Sequence, residues 1–273
     1  MLIAVGSVLL PLALQVAEPA PAPPHGLPLT GVEAEEFLRT AEILELRQFD
    51  TRGVTRPRRA VLSDGTRELR AVFKDVDESE PKKVLADGEV IFQFRDSYRH
   101  EIAAYELDKL LGLGMVPPCV RRRIGADVGA LCLWVEGAMT EWERKIEHDL
   151  PPPELESWNE QMHTLSLFLQ LIYDLDYKNI SNVLVDPDFK IYKIDSSRAF
   201  RNDSELRKPA SLTHFSRSVL DALRRLDHDD VEAHLGAWLS TAQINGLMAR
   251  RDLIVELAAA RVAERGETEV LYR

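Results

Sequence analysis

The residue pattern predicts an α+β fold, with a β-rich N-terminal part that holds one amphipathic helix and a mainly helical C-terminal part. Short alternating or apolar runs separated by turn residues fill positions 42–74, the pattern of antiparallel strands. From position 158 on, apolar residues recur at helical spacing, interrupted by one compact hairpin at 183–194. With 273 residues the chain can bury a full core, as one large domain or as two lobes. Composition places an apolar N-terminal segment and Pro/Ala linker at 1–29, the N-lobe at 30–136 and the C-lobe at 137–273.

The formal net charge of −11 argues against a nucleic-acid partner, because phosphate backbones need clustered Lys and Arg. Only local basic runs occur, at 56–59 and 121–123. Cys119 and Cys132 lie in apolar stretches with no CxxC, so they are expected to pack as small core residues rather than to hold zinc. Residues 2–17, LIAVGSVLLPLALQVA, are uncharged, short for a membrane span and broken by Pro11. They resemble the apolar part of a signal peptide, with Ala17, Ala20 and Ala22 for cleavage, but lack a basic lead. Two readings stay open: export or membrane association through 2–17, or a wrongly assigned start codon and a cytoplasmic protein.

In chain order, residues 33–41 read as a helix capped by Thr30, and 42–49 alternate like a strand. The loop around Gly53 would sit between strands, where its amides and arginines could cover a phosphate chain; a single glycine is more often a plain turn. Ala60-Val61-Leu62, the Asp64-Gly65 turn and residues 68–74 form a hairpin. Residues 99–113 form an amphipathic helix ended by Gly112 or Gly114. A strand starts near Cys119, and residues 129–135 make another that runs into a Glu136-Gly137 connector. Residues 158–173 form a helix leading to an Asx-rich loop. Helices follow from Ser211, over 229–239 and over 241–265, the last started by Ser240.

The chemistry gathers at 170–200. Val183-Leu184-Val185 and the run 191–194 pair across a Pro187-Asp188 turn, which sets Asn182 beside Asp195. An amide oxygen and a carboxylate so placed suit Mg²⁺, which takes hard oxygens and keeps sites for phosphates. Asp176, or alternatively Asp174, faces the same space as a base. Lys74, after three apolar strand residues, is by itself more often a rim charge. It gains weight from Glu101 in the first turn of the 99–113 helix, which can cross to it and aim its ammonium at phosphate oxygens. Taken singly, each acid is an ordinary cap or turn residue. Taken in order (loop, strand Lys, helix Glu, connector, helix, Asp/Asn loop, hairpin, Asp) the set is specific.

That order, with the stretches FLRTAEIL, GVTRPRRAVLSDG, AVFKDVD, HEIAAYELDKLLGLGMVPP, LIYDLDYKNISNVLVD and IDSSRAF, resembles the atypical kinase-like families. These group the secretory-pathway glycan and protein kinases, HipA-type kinases and phosphoinositide 3-/4-kinases. The likeness covers about residues 37–262 and implies a bilobed kinase-like fold, ATP or another nucleoside triphosphate, and Mg²⁺ or Mn²⁺. It implies that Lys74 holds the nucleotide phosphates, Glu101 orients it, and Asn182 and Asp195 bind metal, while Arg198 and Phe200 set the following segment. The acceptor would be a hydroxyl on a protein, glycan, lipid or small molecule. One departure matters: the family's catalytic Asp lies five residues before the metal Asn, whereas Tyr177 holds that place here and Asp176 lies six before Asn182. Two function classes follow: an active phosphotransferase, or a pseudokinase that binds nucleotide or acts as a scaffold.

Overall fold

A computed structural model describes residues 25–49, 57–84, 88 and 90–273. The loop around Gly53 and the 2–17 segment lie outside the described residues. Among the described residues, no helix is long and apolar enough to cross a membrane.

The chain opens with α1 (Gly31–Thr40) and β1 (Glu42–Gln48), then β2 (Arg58–Ser63) and β3 (Glu68–Lys74). A hairpin of β4 (Asp77–Val84) and β5 (Val90–Ser97) leads into α2 (Tyr98–Leu111), followed by β6 (Cys119–Ile124) and β7 (Asp127–Leu133). One five-stranded sheet runs in the order β1-β2-β3-β7-β6, every adjacent pair antiparallel. Its buried face carries Ala60, Leu62, Ala71, Phe73, Leu131 and Leu133, packed under Phe37 and Leu38 of α1. These alternate along each strand, which is why 60–62 and 68–74 read as strands; the first extends to Arg58–Ser63.

Beyond the connector come β8 (Met139–Thr140), a short π-helical turn (Glu143–Glu147), α3 (Leu155–Leu171), and the β9 (Val183–Val185) and β10 (Ile191–Lys193) hairpin. The chain ends with β11 (Phe215–Ser216), α4 (Arg217–Arg225), α5 (His228–Leu235), α6 (Thr241–Arg265), α7 (Glu267–Val270) and β12 (Leu271–Tyr272). The expected α+β architecture, β-rich then helical, is what the chain adopts. Ser240 and Gln243 form a complete capping box at the start of α6. A cap contributes about 1 kcal/mol, so burial of Ile244, Leu247, Ile254 and Ala258 carries most of that helix's stability.

The larger core joins α3, α4, α5 and α6 to the inner face of α2, through Ile102, Ala103, Leu107 and Leu111. Asp108 fixes the exit of α2 by accepting hydrogen bonds from the backbone of Gly114, Met115 and Val116 at 3.0, 3.0 and 3.1 Å. The helix stops at Gly112, whose φ of 66° favours glycine. Packing α2 into the larger core makes it a rigid strut beside the sheet.

Three readings need correction. Cys119 and Cys132 are not separate core thiols: they face each other across β6 and β7, Cα atoms 4.0 Å apart, and form a disulfide. The register that pairs them is invisible without the sheet. The second correction concerns α5, which ends at Leu235 rather than 239. The third is the β4–β5 hairpin, which the pattern left unassigned. Its first strand, DESEPKKV, is mostly exposed and carries no apolar alternation, so only pairing to β5 reveals it.

Candidate active site

Lys74 is the last residue of β3, and its ladder partner Ala130 follows Gly129. A Cβ at Gly129 would collide with the Lys74 carbonyl, so glycine there lets β7 close against the strand end that carries the lysine. Glu101 sits in the first turn of α2, buried at 6% exposure. Its carboxylate spans two elements: Oε1 accepts from Lys74 Nζ at 2.7 Å, and Oε2 accepts from the Ser196 backbone N–H at 3.1 Å. Lys74 Nζ also donates to Asp195 Oδ1 at 2.9 Å. Residues from the sheet, the helix and the end of the β9–β10 hairpin thus meet at one ammonium.

The electrostatics fix the protonation states. Burial favours a neutral Lys74, but Asp195 and Glu101 outweigh it and hold its pKa above the ordinary lysine value. Lys74 in turn lowers the Asp195 pKa to about 2 against the opposing effect of burial, so the carboxylate is an anion at neutral pH. Asp195 has φ 59°, a left-handed conformation that Asp tolerates better than most residues. Local bonds hold it there. Lys193 Nζ donates to the Ile194 and Asp195 carbonyls at 2.6 and 3.0 Å, and Ile194 N–H donates to the Asn182 carbonyl at 3.0 Å.

Asn182 closes a 3-10 turn (Ile180–Asn182) capped by the Asn179 side chain. Its Oδ1 accepts from Asn179 Nδ2 at 3.2 Å, while its buried Nδ2 has no partner among the described residues. With Asn179 on one lone pair, the Asn182 oxygen keeps a second lone pair for a cation. Asn182 and Asp195 line the same cavity and so offer two hard oxygens to a divalent ion, a donor set suited to Mg²⁺ or Mn²⁺. Among the described residues no group of three or more His, Cys, Asp or Glu could hold a metal. An Asn–Asp pair relies on phosphates and water for the rest of the coordination sphere.

The two candidate bases differ sharply. Asp174 is 1% exposed and paired with Lys193, also 1% exposed, at 2.9 Å. Its other oxygen accepts from the Asp176 N–H at 2.8 Å, so it braces the loop from inside. Asp176 keeps a partly exposed carboxylate 3.5 Å from an Arg198 guanidinium nitrogen. Burial raises the Asp176 pKa, with Arg198 opposing. Arg198 is itself anchored to Asp96 at 2.8 Å.

The cavity between these elements measures about 460 Å³. Its polar end holds Lys74, Glu101, Asn182 and Asp195; its apolar walls include Val72, Leu133 and Leu184, together with Phe49 stacked on Trp134 at 5.9 Å between ring centroids. Glu143 lines it too, locked in a reciprocal cap with Thr140: its Oε2 accepts from the Thr140 N–H at 2.6 Å, and its own N–H donates to Thr140 Oγ1 at 3.1 Å. Sequence reasoning missed Glu143, although Thr140-x-x-Glu143 is the capping-box spacing that marks a helix start. It also missed Phe49 and the Asp174–Lys193 pair, for which no sequence signal exists.

A strand lysine, a helix glutamate and a post-hairpin aspartate converging between a β-rich lobe and a helical lobe define an atypical kinase-like fold. The chain is similar to hydra Fam20, solved with sugar: TM-score 0.65 and 17% identity, covering 89% of this chain and 93% of that one. It is also similar to the Helicobacter pylori proinflammatory kinase CtkA, with TM-score 0.53 and 12% identity, covering 84% of this chain and 98% of that one. No family model and no curated protein matches the sequence.

Proposed function

We propose that the protein is an ATP-dependent phosphotransferase that moves the γ-phosphoryl group to a hydroxyl acceptor with Mg²⁺ or Mn²⁺. The observation carrying this reading is the placement of Lys74 Nζ at 2.7 Å from Glu101 and 2.9 Å from Asp195 on a single cavity. Lys74 holds nucleotide phosphate oxygens, and Glu101 keeps its ammonium aimed. Asn182 and Asp195 hold the divalent ion, which when bound neutralises charge on the transferring group. Phe49, Val72, Leu184 and Trp134 enclose the base. Asp176 orients the acceptor hydroxyl and takes its proton. The acceptor is a hydroxyl-bearing protein, glycan, lipid or small molecule, and the hydra neighbour solved with sugar makes a glycan the first to assay.

Asp176→Asn is expected to lower kcat roughly 10²–10⁴-fold with nucleotide affinity unchanged. The wild-type rate carries a further signature. A base must be ionised, and burial raises the Asp176 pKa, so the acid limb of the kcat–pH profile should lie above the ordinary aspartate range and vanish in Asp176→Asn. A limb at the ordinary aspartate value would remove Asp176 from the role.

A second reading, a nucleotide-binding pseudokinase or scaffold, is favoured by the six-residue spacing to Asn182 and by Arg198 drawing on the Asp176 carboxylate. Differential scanning with ATP and each metal separates the two. Saturation at about 100 times Kd adds about 2.7 kcal/mol to folded-state stability, so Tm should rise with ATP plus metal and fall back on chelation. A rise without ATP consumption selects the pseudokinase, and no rise with either metal selects the scaffold.

A further inference from the structure

We propose that the Cys119–Cys132 disulfide is a redox-responsive wall of the nucleotide cleft: its reduction by small thiols weakens nucleotide binding, and bound nucleotide shields it from reduction. The inference rests on the phosphotransferase reading only in taking a nucleotide as the occupant of the cavity.

Position is the first argument. Cys119 and Cys132 are directly opposed in the β6–β7 ladder, and the Leu133 N–H to Pro118 carbonyl bond of 2.8 Å marks them as a pair that exchanges no backbone hydrogen bonds of its own. The disulfide is therefore their direct tie. β6 is the edge strand of the sheet: its strand partner is β7, and its Arg122 side chain donates to the Leu38 and Ala41 carbonyls at 2.5 and 2.6 Å, away from the cysteine end. β7 aligns Lys74 through its pairing with Ala130, and continues into Trp134 and Val135 of the cavity wall. Val116 and Pro117, just before β6, line the same wall. Cutting the bond thus loosens two segments that shape the cleft.

Access is the second. Both cysteines border the 460 Å³ cavity, yet Cys119 is 1% exposed and Cys132 only partly buried. An attacking thiolate meets the Cys132 sulfur, breaks the S–S bond and expels Cys119 as a thiolate that takes up a proton. A second thiol attacks the mixed disulfide, releasing Cys132 as a thiol and the reductant as its disulfide; two reductant thiols supply the two electrons. A base and ribose seated against Val72, Leu133 and Leu184 cover that approach. Two thiols, no longer sharing a bond, need more room in the wall than the disulfide did. Because equilibrium coupling is reciprocal, the factor by which reduction raises Kd is the factor by which bound nucleotide shifts the thiol–disulfide equilibrium toward the disulfide.

The test uses the full chain oxidised, with dithiothreitol as reductant and a non-hydrolysable ATP analogue plus Mg²⁺ as ligand. Reduction is read by alkylation and intact mass, and affinity by titration of oxidised and anaerobically reduced protein. Reduction is expected to slow several-fold or more at saturating analogue, because the bound base covers the Cys132 sulfur. Kd is expected to rise about tenfold on reduction, with the thiol–disulfide equilibrium shifted toward the disulfide by about that same factor at saturation. The Cys119→Ser/Cys132→Ser double variant should bind like the reduced protein and ignore dithiothreitol. Equal reduction rates with and without analogue, or equal affinities in both redox states, overturn the proposal while leaving the phosphotransferase reading intact. No binding by the oxidised protein overturns both. Should the double variant fail to fold, the wild-type rates and affinities decide.

Discussion

Asp195→Ala is expected to abolish phosphoryl transfer, lowering kcat roughly 10³-fold or more while the protein stays folded. Asp195 is the cavity carboxylate whose pKa is driven to about 2 by Lys74, and it lines the cavity together with Asn182. Without it, Asn182 offers a divalent ion a single neutral oxygen, and Lys74 keeps only Glu101. Alanine tolerates φ 59° less well than aspartate, so some loss of stability accompanies the substitution. Asp195→Asn preserves that tolerance and the side-chain shape while removing the charge, and should lose activity to a similar degree with a Tm lowered by the loss of the ion pair to Lys74. Turnover within a few-fold of wild type in both variants, measured on folded protein, would sink the metal-ligand assignment.

Asp174→Ala acts on stability instead. The Asp174–Lys193 pair is 1% exposed at both side chains, and Lys193 also holds the Ile194 and Asp195 carbonyls. Removing one member of a buried pair strands the other, at a cost of about 3–5 kcal/mol, equivalent to a fall in Tm on the order of 10 °C. Replacing both together, Asp174→Leu with Lys193→Met, should recover the part of that loss due to uncompensated charge and no more, because the Ile194 and Asp195 carbonyls and the Asp176 N–H lose their partners. Calorimetry of the single and double variants checks this. A single variant that melts like wild type would show that the pair does not brace the loop. The contrast with Asp176→Asn, expected to lose rate and keep stability, assigns different tasks to two acids two residues apart.

That division was not available from spacing. The sequence put Asp176 first as the base and Asp174 as its alternative, without giving Asp174 a separate task; that task comes from Lys193, distant in the chain and brought against the loop by the β9–β10 hairpin. Lys74 and Glu101 could each be placed on an element from periodicity, a lysine closing an apolar strand run and a glutamate opening an amphipathic helix; their pairing was an expectation from the order of the elements, and the structure sets them 2.7 Å apart. Asn182 and Asp195 were legible because a tight hairpin forces its flanking residues together. The cysteine pair was not, since two apolar strands say nothing about which residues will face each other.

Local pattern therefore carried the strands, the helices and the order of the polar residues, because each depends on contacts a few residues apart. It did not carry the register of β6 on β7, the partner of Asp174, or the approach of Arg198 to Asp176. Those depend on long-range packing of α2 and the hairpin into a shared core, where a one-residue slip would turn every strand side chain to the opposite face.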